Sequence, residues 1–203
     1  LFNLASEIRL FYQRHGFAAV KVNLNFEKYG NKVKPVFYVD EGPQDIIRKI
    51  EFSGNSLLAD EILLKEMSSF PGGHFFQPSV QRDIGKLETF YLGRGIRGTE
   101  IRSAVQITGG NLYDLLIEIK EGHPVRSENI IIAGHNVTRK KTIQKQLMIR
   151  EGEPALYDRI QESRRRLEDL GIFSEVKIEE IPITENRMNL LFRVREGSRH
   201  YAS

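Results

Sequence analysis

The run from Gly93 to Gly98, GRGIRG, has the G-x-G-x-x-G spacing with which a glycine-rich turn can cradle a pyrophosphate. That chemistry requires the turn to follow a strand and open a helix, so that amide N–H groups at the helix start face the phosphates. Here helix-spaced apolar residues precede the run and alternating ones follow it, which predicts a loop that stops a helix. The five histidines, His15, His74, His123, His135 and His200, show neither the i, i+4 nor the short-loop spacing of metal ligands, and loop histidines are expected. There is no Gly-x-Ser-x-Gly elbow, and neighbouring carboxylates such as Glu179 and Glu180 lie in a polar, strand-like stretch that gives no ground for acid–base chemistry. No catalytic residue, metal or cofactor is expected, and no enzyme.

Two basic stretches bear on partners. Arg139, Lys140, Lys141 and Lys145 gather on or near one helix start, where each cation opposes the helix dipole by about a few tenths of a kcal/mol. They form a candidate patch for anionic lipid headgroups or an acidic protein partner. The triplet Arg164 to Arg166 sweeps about 200° of a helix, so a solvated face is expected, with Glu162 and Glu168 interspersed. The net charge of +3, from 30 basic and 27 acidic residues, is too small to demand a polyanion, and no nucleic acid is expected.

The elements that must position these residues occur more than once. A chain of 203 residues, 40% hydrophobic and 28% charged, is long enough for one folded domain or two. It has no run of about 18 apolar residues that would span a membrane as a helix. A start at Leu1 without a signal-like segment reads as a piece of a longer protein. The lack of Cys excludes disulfides and thiolate metal sites and fits an oxidising compartment. Slid against itself by 80 positions, the chain superposes Ile50 on Ile130, Phe52 on Ile132, Gly54 on Gly134, Met67 on Leu147, Gly72 on Gly152, Val80 on Ile160 and Leu87 on Leu167. Further on Gly95 meets Gly171 and Glu121-Gly122 meets Glu196-Gly197 at slightly shorter offsets, so the losses fall in loops. A partial copy comes first: FYQRHGF at Phe11 lies over FYLGRGI at Phe90, and Glu41-Gly42 precedes Glu121-Gly122 by 80.

Within each complete copy the periods change in a fixed order. Ile47, Ile50 and Phe52 give a strand ending in Gly54-Asn55, after which Ser56 is expected to cap a helix carrying Leu58, Ile62, Leu63 and Met67. Val80, Ile84, Leu87 and Tyr91 give a second amphipathic helix that stops at Gly93 to Gly95. An alternating strand, the turn TGGN and the more continuously apolar LYDLLIEI form a hairpin. The later copy repeats this with Ile130 to Ile132, a helix bearing Ile143 and Leu147, a helix with Ile160, Leu167 and Leu170, the strand of Val176 and Ile178, and MNLLFRV. The order is strand, helix, helix, strand, strand. It predicts an α+β fold in which a three-stranded mixed sheet is covered on one face by two antiparallel helices.

This order, with Gly-Asn after the first strand and Glu-Gly after the third, resembles the POTRA (polypeptide-transport-associated) domains of outer-membrane protein assembly factors of the BamA type. The stretch from Leu147 to Ile178 carries the resemblance most specifically and looks like the copy nearest the membrane barrel. The resemblance implies tandem POTRA repeats: residues 1–43 a partial copy with the second helix and hairpin only, 44–123 and 124–198 complete copies, and 199–203 the start of a linker to a barrel absent from this chain. It further implies the periplasmic portion of a Gram-negative outer-membrane protein, a non-catalytic scaffold that receives unfolded outer-membrane proteins and docks accessory lipoproteins. The competing readings are a structural spacer in a related transporter of the TamA or two-partner-secretion type, and third, a nucleic-acid module.

The feature favouring a polypeptide receptor is the second strand of each copy. Val20, Val22, Leu24 and Phe26 alternate with polar residues, as do Ile101, Ser103, Val105 and Ile107, and Val176, Ile178 and Ile181 follow a similar pattern. An alternating strand suits a sheet edge whose free N–H and C=O groups accept a guest strand. Lys21, Arg102 and Lys177 equally suit an ordinary edge guarded against pairing.

Overall fold

The structure is a computed structural model that describes residues 2–197. In chain order the elements are α1 (Phe2–Arg14), β1 (Lys21–Tyr29), β2 (Lys32–Asp40), β3 (Ile46–Ser53), α2 (Asp60–Glu66), α3 (Gln77–Gly93) and β4 (Ile96–Arg97). They continue with β5 (Glu100–Gly109), β6 (Leu112–Lys120), β7 (His123–Pro124), β8 (Arg126–Ala133), α4 (Lys140–Gln144), α5 (Tyr157–Asp169), β9 (Phe173–Thr184) and β10 (Arg187–Glu196). Two compact units divide the chain: the residues up to Leu87 together with Ile101–Lys120, and Glu88–Glu100 together with the residues from Glu121 onward. The stretch after Gly197, read as the way to a barrel, and with it His200, lies outside the described residues.

The first unit holds the β1–β2 hairpin and the sheet β3-β6-β5; the second holds the sheet β8-β10-β9 and the short pair β4–β7. In both three-stranded sheets the first strand pairs parallel with the third, which takes the centre, while the second strand forms an edge. This is the predicted mixed sheet with two helices on one face. A parallel pair needs a crossover between its strands, and the two helices supply it.

Inward alternation explains the central strands. Met188, Leu190, Phe192 and Val194 of β10 are all buried, and they meet Ile143 of α4 and Ile160 and Leu167 of α5 in one core. In the first unit Ile47, Val80 and Leu115 form the equivalent contact, with Ile50 and Phe75 packed against it. The three-residue step from Ile47 to Ile50 breaks strand period, and a bulge between Ile47 and Lys49 restores both to the core side. Gly54 and Gly134 follow β3 and β8 with φ of +81° and +86°, and a Cβ at either would lie 2.0 Å from the carbonyl oxygen of Ile119 or Val194. Only glycine lets the chain turn off the first strand so close to the third.

Several expectations are corrected. Ser56 does not cap α2: the helix starts at Asp60 with Ala59 before it, and the Asn55 side chain donates instead to the carbonyl of Leu58 and to Asp60. Leu58 therefore precedes the helix, and Ile62 is exposed while Leu63 and Met67 are buried. The later counterpart α4 is only 5 residues long, so Leu147 lies beyond it, although still against the core. Leu170 follows α5 and is partly buried.

A buried polar contact that periodicity missed ties the two helices of each repeat together. Asp83 on α3 is fully buried and accepts the amides of Ser68 and Ser69, both at 2.8 Å. Those bonds hold its carboxyl below the ordinary value, although burial itself pushes the other way. Eighty positions later, Ser163 accepts the amide of Met148 at 2.7 Å and donates to the carbonyl of Arg159.

Leu167 is fully buried in the core of the second unit, so Leu167→Ala is expected to cost about 2–5 kcal/mol in a urea titration. A loss of only about a few tenths would mean that α5 presents a different face to the sheet.

Candidate functional site

β5 and β9 each end their sheet, so the outer backbone of both lacks a partner strand among the described residues. Their inward residues are covered only in part. Ile101 and Val176 are buried and Ser103 and Ile178 half-buried, whereas Val105, Ile107 and Ile181 are exposed, Ile107 at 63%. The hairpin half of each edge strand thus presents apolar side chains to solvent beside unpaired backbone. The hydroxyl of Ser103 is buried with no hydrogen-bond partner among the described residues. In the first hairpin Val20 is buried but precedes β1, Val22 is buried, Leu24 half-buried and Phe26 exposed. Among the described residues the hairpin has two strands, so β1 and β2 each leave one edge without a partner strand there. The cationic side chains expected on these edges, Lys21, Arg102 and Lys177, are exposed, and Lys177 pairs with Glu175 at 2.7 Å.

The same backbone contact opens β3 and the β7–β8 stretch. Asp45 donates its amide to Gly16 at 2.7 Å, and its carbonyl accepts from Phe75. Val125 donates to Gly95 at 2.8 Å, and its carbonyl accepts from Ala155. Both contacts lie within a unit. Around them the side chains differ. In the first unit Gln44 donates to the carbonyl of His15 and to Nδ1 of His74, which brings two histidines distant in sequence to 6.1 Å between ring centroids. In the second, Arg97 donates to the carbonyls of Leu92 and Ala155 and pairs with Glu180 at 3.2 Å. A Cβ on Gly122 would lie 1.8 Å from the carbonyl oxygen of Arg97, so glycine is required there by close approach. The GRGIRG run therefore stops α3 and positions Arg97.

The glutamate of the Glu-Gly pair has its own task. Glu196, at the end of β10, accepts the amides of Val137 and Thr138, the latter at 2.7 Å. These bonds, that of Thr138 foremost, lower its carboxyl from 4.5 to about 2. Glu121, directly after β6, accepts from the Tyr91 hydroxyl at 2.8 Å. Burial, followed by that carboxylate, raises the Tyr91 hydroxyl well above its ordinary value.

The four cations of the expected patch are all exposed, but they do not converge on one site. Arg139 lines an open cleft of about 570 Å³ with Val137, Thr142, Ile172 and Glu196, while Lys145 lines a separate groove with Ile130, Leu147 and Glu151. The Arg164–Arg166 triplet is a solvated face: Arg164 pairs with Glu168, and Arg165 and Arg166 with Glu162. Among the described residues no three His, Asp or Glu gather as a metal set. Glu179 and Glu180 point to separate cations, Arg193 and Arg97. The arrangement presents open strand edges beside exposed apolar side chains.

Tandem α+β repeats with open second-strand edges define the class of protein. The family model of POTRA, described as surface antigen variable number repeat, matches residues 46–122 and 125–197, and the chain belongs to that family. The chain is 25% identical over 201 residues to the outer membrane protein assembly factor BamA of Nitratidesulfovibrio vulgaris, covering 95% of this chain and 25% of that one. It spans about a fifth to a quarter of the length of the curated relatives it matches. Among solved structures it resembles Haemophilus influenzae BamA POTRA3-5, with a TM-score of 0.57, 20% identity, and coverage of 95% of this chain and 78% of that one. It also resembles Haemophilus ducreyi BamA lacking POTRA domains 1-3, with a TM-score of 0.65, 15% identity, and coverage of 75% and 29%. The repeats are the periplasmic part of an outer-membrane protein.

Because the native state holds Glu196 ionised down to about 2, its hydrogen bonds stabilise the fold above the ordinary carboxyl value and are lost as pH falls from about 4.5 to about 2. Glu196→Gln is expected to flatten that part of the stability–pH curve relative to the parent chain. Parallel curves for the two proteins in urea titrations would show that the carboxylate does not hold the loop after β8.

Proposed function

We propose that the chain is a polypeptide-binding scaffold of an outer-membrane β-barrel assembly factor of the BamA type. In this reading it receives unfolded outer-membrane proteins by strand addition at the outer edge of β1, β5 or β9, and it performs no catalysis. Residues 1–43 act as a partial copy, and 44–123 and 124–198 as two complete ones. The carrying observation is the pairing, in β5 and β9, of an unpartnered edge with exposed apolar residues, Val105 and Ile107 in one and Ile181 in the other. A guest held mainly by backbone hydrogen bonds is accepted whatever its side chains, which suits a receptor for many clients. Each net bond contributes about 1 kcal/mol against the cost of ordering the guest, so one edge binds in the range of about 10 µM to 1 mM and releases readily. Accessory lipoproteins, and anionic headgroups near Arg139 to Lys145, are the further partners proposed.

A spacer reading, in which the repeats only hold a barrel away from other machinery, draws on the exposed Lys21, Arg102 and Lys177 along the same strands. NMR titration with alternating apolar peptides taken from barrel strands separates the two. The expected outcome is shift changes along β5 or β9 at up to millimolar peptide, and a loss of binding at β5 in a still-folded Val105→Pro variant, where an N–H is removed and φ is held near −65°. Shifts absent from every strand edge, or spread evenly over the helices, would support the spacer.

A further inference from the structure

The two complete repeats treat their other sheet edge, that of the first strand, differently. Both first strands begin alike: Ile47 donates to Gly73 and accepts from Gly72, as Ser127 donates to Glu153 and accepts from Gly152. Backbone at 47 and 127 therefore faces outward. Past the bulge the outward amide of β8 is that of Ile130, and it is occupied: it donates to Oε1 of Glu151 at 2.9 Å, from the loop between α4 and α5. The residue 80 positions earlier is Pro71, which has no acceptor side chain. Neighbouring exchanges run the same way. The groove beside β8, about 490 Å³, is lined by Gln144, Arg150 and Glu151, and their counterparts beside β3 are Leu64, Phe70 and Pro71. Phe70 is 59% exposed.

We propose that the outer edge of β3, at Ile50 and Phe52, accepts an extended apolar segment of a client polypeptide, whereas Glu151 closes the matching edge of β8. This rests on the polypeptide-binding reading above and adds a second edge to it. The edge itself sets the chemistry of its occupant: outward N–H and C=O groups at strand spacing are matched along their length by another extended backbone. Phe70 and Leu64, at the repeat positions that line the groove at β8, give the β3 side an apolar character that favours apolar guest side chains. At β8 the tethered carboxylate takes the donor a guest would use and sets negative charge where guest carbonyls would approach.

The test uses the full chain and a synthetic peptide of about ten residues alternating Val and Thr, with a nitroxide at one end, read by amide NMR. In the free protein the amide of Ile50 is expected to exchange with solvent about tenfold faster than that of Ile130, and Glu151→Ala to bring Ile130 up to the rate of Ile50. With peptide, line broadening is expected along β3 and not β8. It should be lost from β3 in Pro71→Glu and should arise along β8 in Glu151→Ala. Should Pro71→Glu fail to fold, the Glu151→Ala variant reads the same contact from the other repeat. Broadening confined to β5 and β9, indifferent to both substitutions, would overturn this proposal and leave the proposed function standing. No broadening at any edge would overturn both.

Discussion

The parallel pairing of the first strand with the third, β3 with β6 and β8 with β10, is the constraint on which the remainder of each repeat depends. Parallel neighbours cannot be joined by a tight turn, so a crossover is obligatory, and the two helices between them are that crossover. The third strand then takes the centre and must be apolar on its covered face, as Leu190, Phe192 and Val194 are. The second strand, arriving by hairpin, can only take an edge. Parallel strands also end at the same side of the sheet. The residue that closes β10 therefore lies beside the loop that leaves β8, and Glu196 meets the amides of Val137 and Thr138 there. A glutamate after the third strand and a glycine after the first follow from one geometry.

That geometry also explains how one repeat can follow another within a few residues. The chain leaving a third strand pairs at once: the amides of Asp45 and Val125 donate to the carbonyls of Gly16 and Gly95, and their own carbonyls accept from Phe75 and Ala155. Backbone groups make this contact, so the side chains around it are free to differ. Gln44 with His15 and His74 occupies one instance, Arg97 with Glu180 the other.

The helix pairs show the same freedom. Asp83 and Ser163 stand at one position of the repeat and hold the amides that follow the first helix, one as a buried carboxylate and the other as a hydroxyl. What the position supplies in both repeats is an acceptor for an otherwise unpaired N–H, and at Asp83 the carboxylate also pairs with Lys86 at 3.2 Å. Glu151 and Pro71 differ in a way that is not neutral, because the amide concerned lies on an open edge and not under a helix.

Element types, their order and the covered face of the longer helices and central strands were legible in the sequence, because burial of one face imposes a period that local residues carry themselves; the short α2 departs from this, with Ile62 exposed. Val80, Ile84, Leu87 and Tyr91 are buried as their spacing requires, and so are Ile160 and Leu167. The edge placement of β5 and β9 was legible for the same reason, through the contrast of an alternating strand with a more continuous one. Helix limits were not: Ser56 has the residue type of a cap but α2 starts after Ala59, since Asn55 had already satisfied the turn. Nor were contacts between positions far apart in the chain. Arg97 reaching Glu180, His15 meeting His74 and Glu151 reaching Ile130 have no period to announce them. Of the four cations from Arg139 to Lys145, close in sequence, Arg139 lines one cleft and Lys145 another. Sequence determined what each segment is and which face it buries, because those depend on spacing within the segment. Tertiary structure alone decided which edges stay open and which carboxylate closes which amide, because those depend on what the sheet brings within about 3 Å.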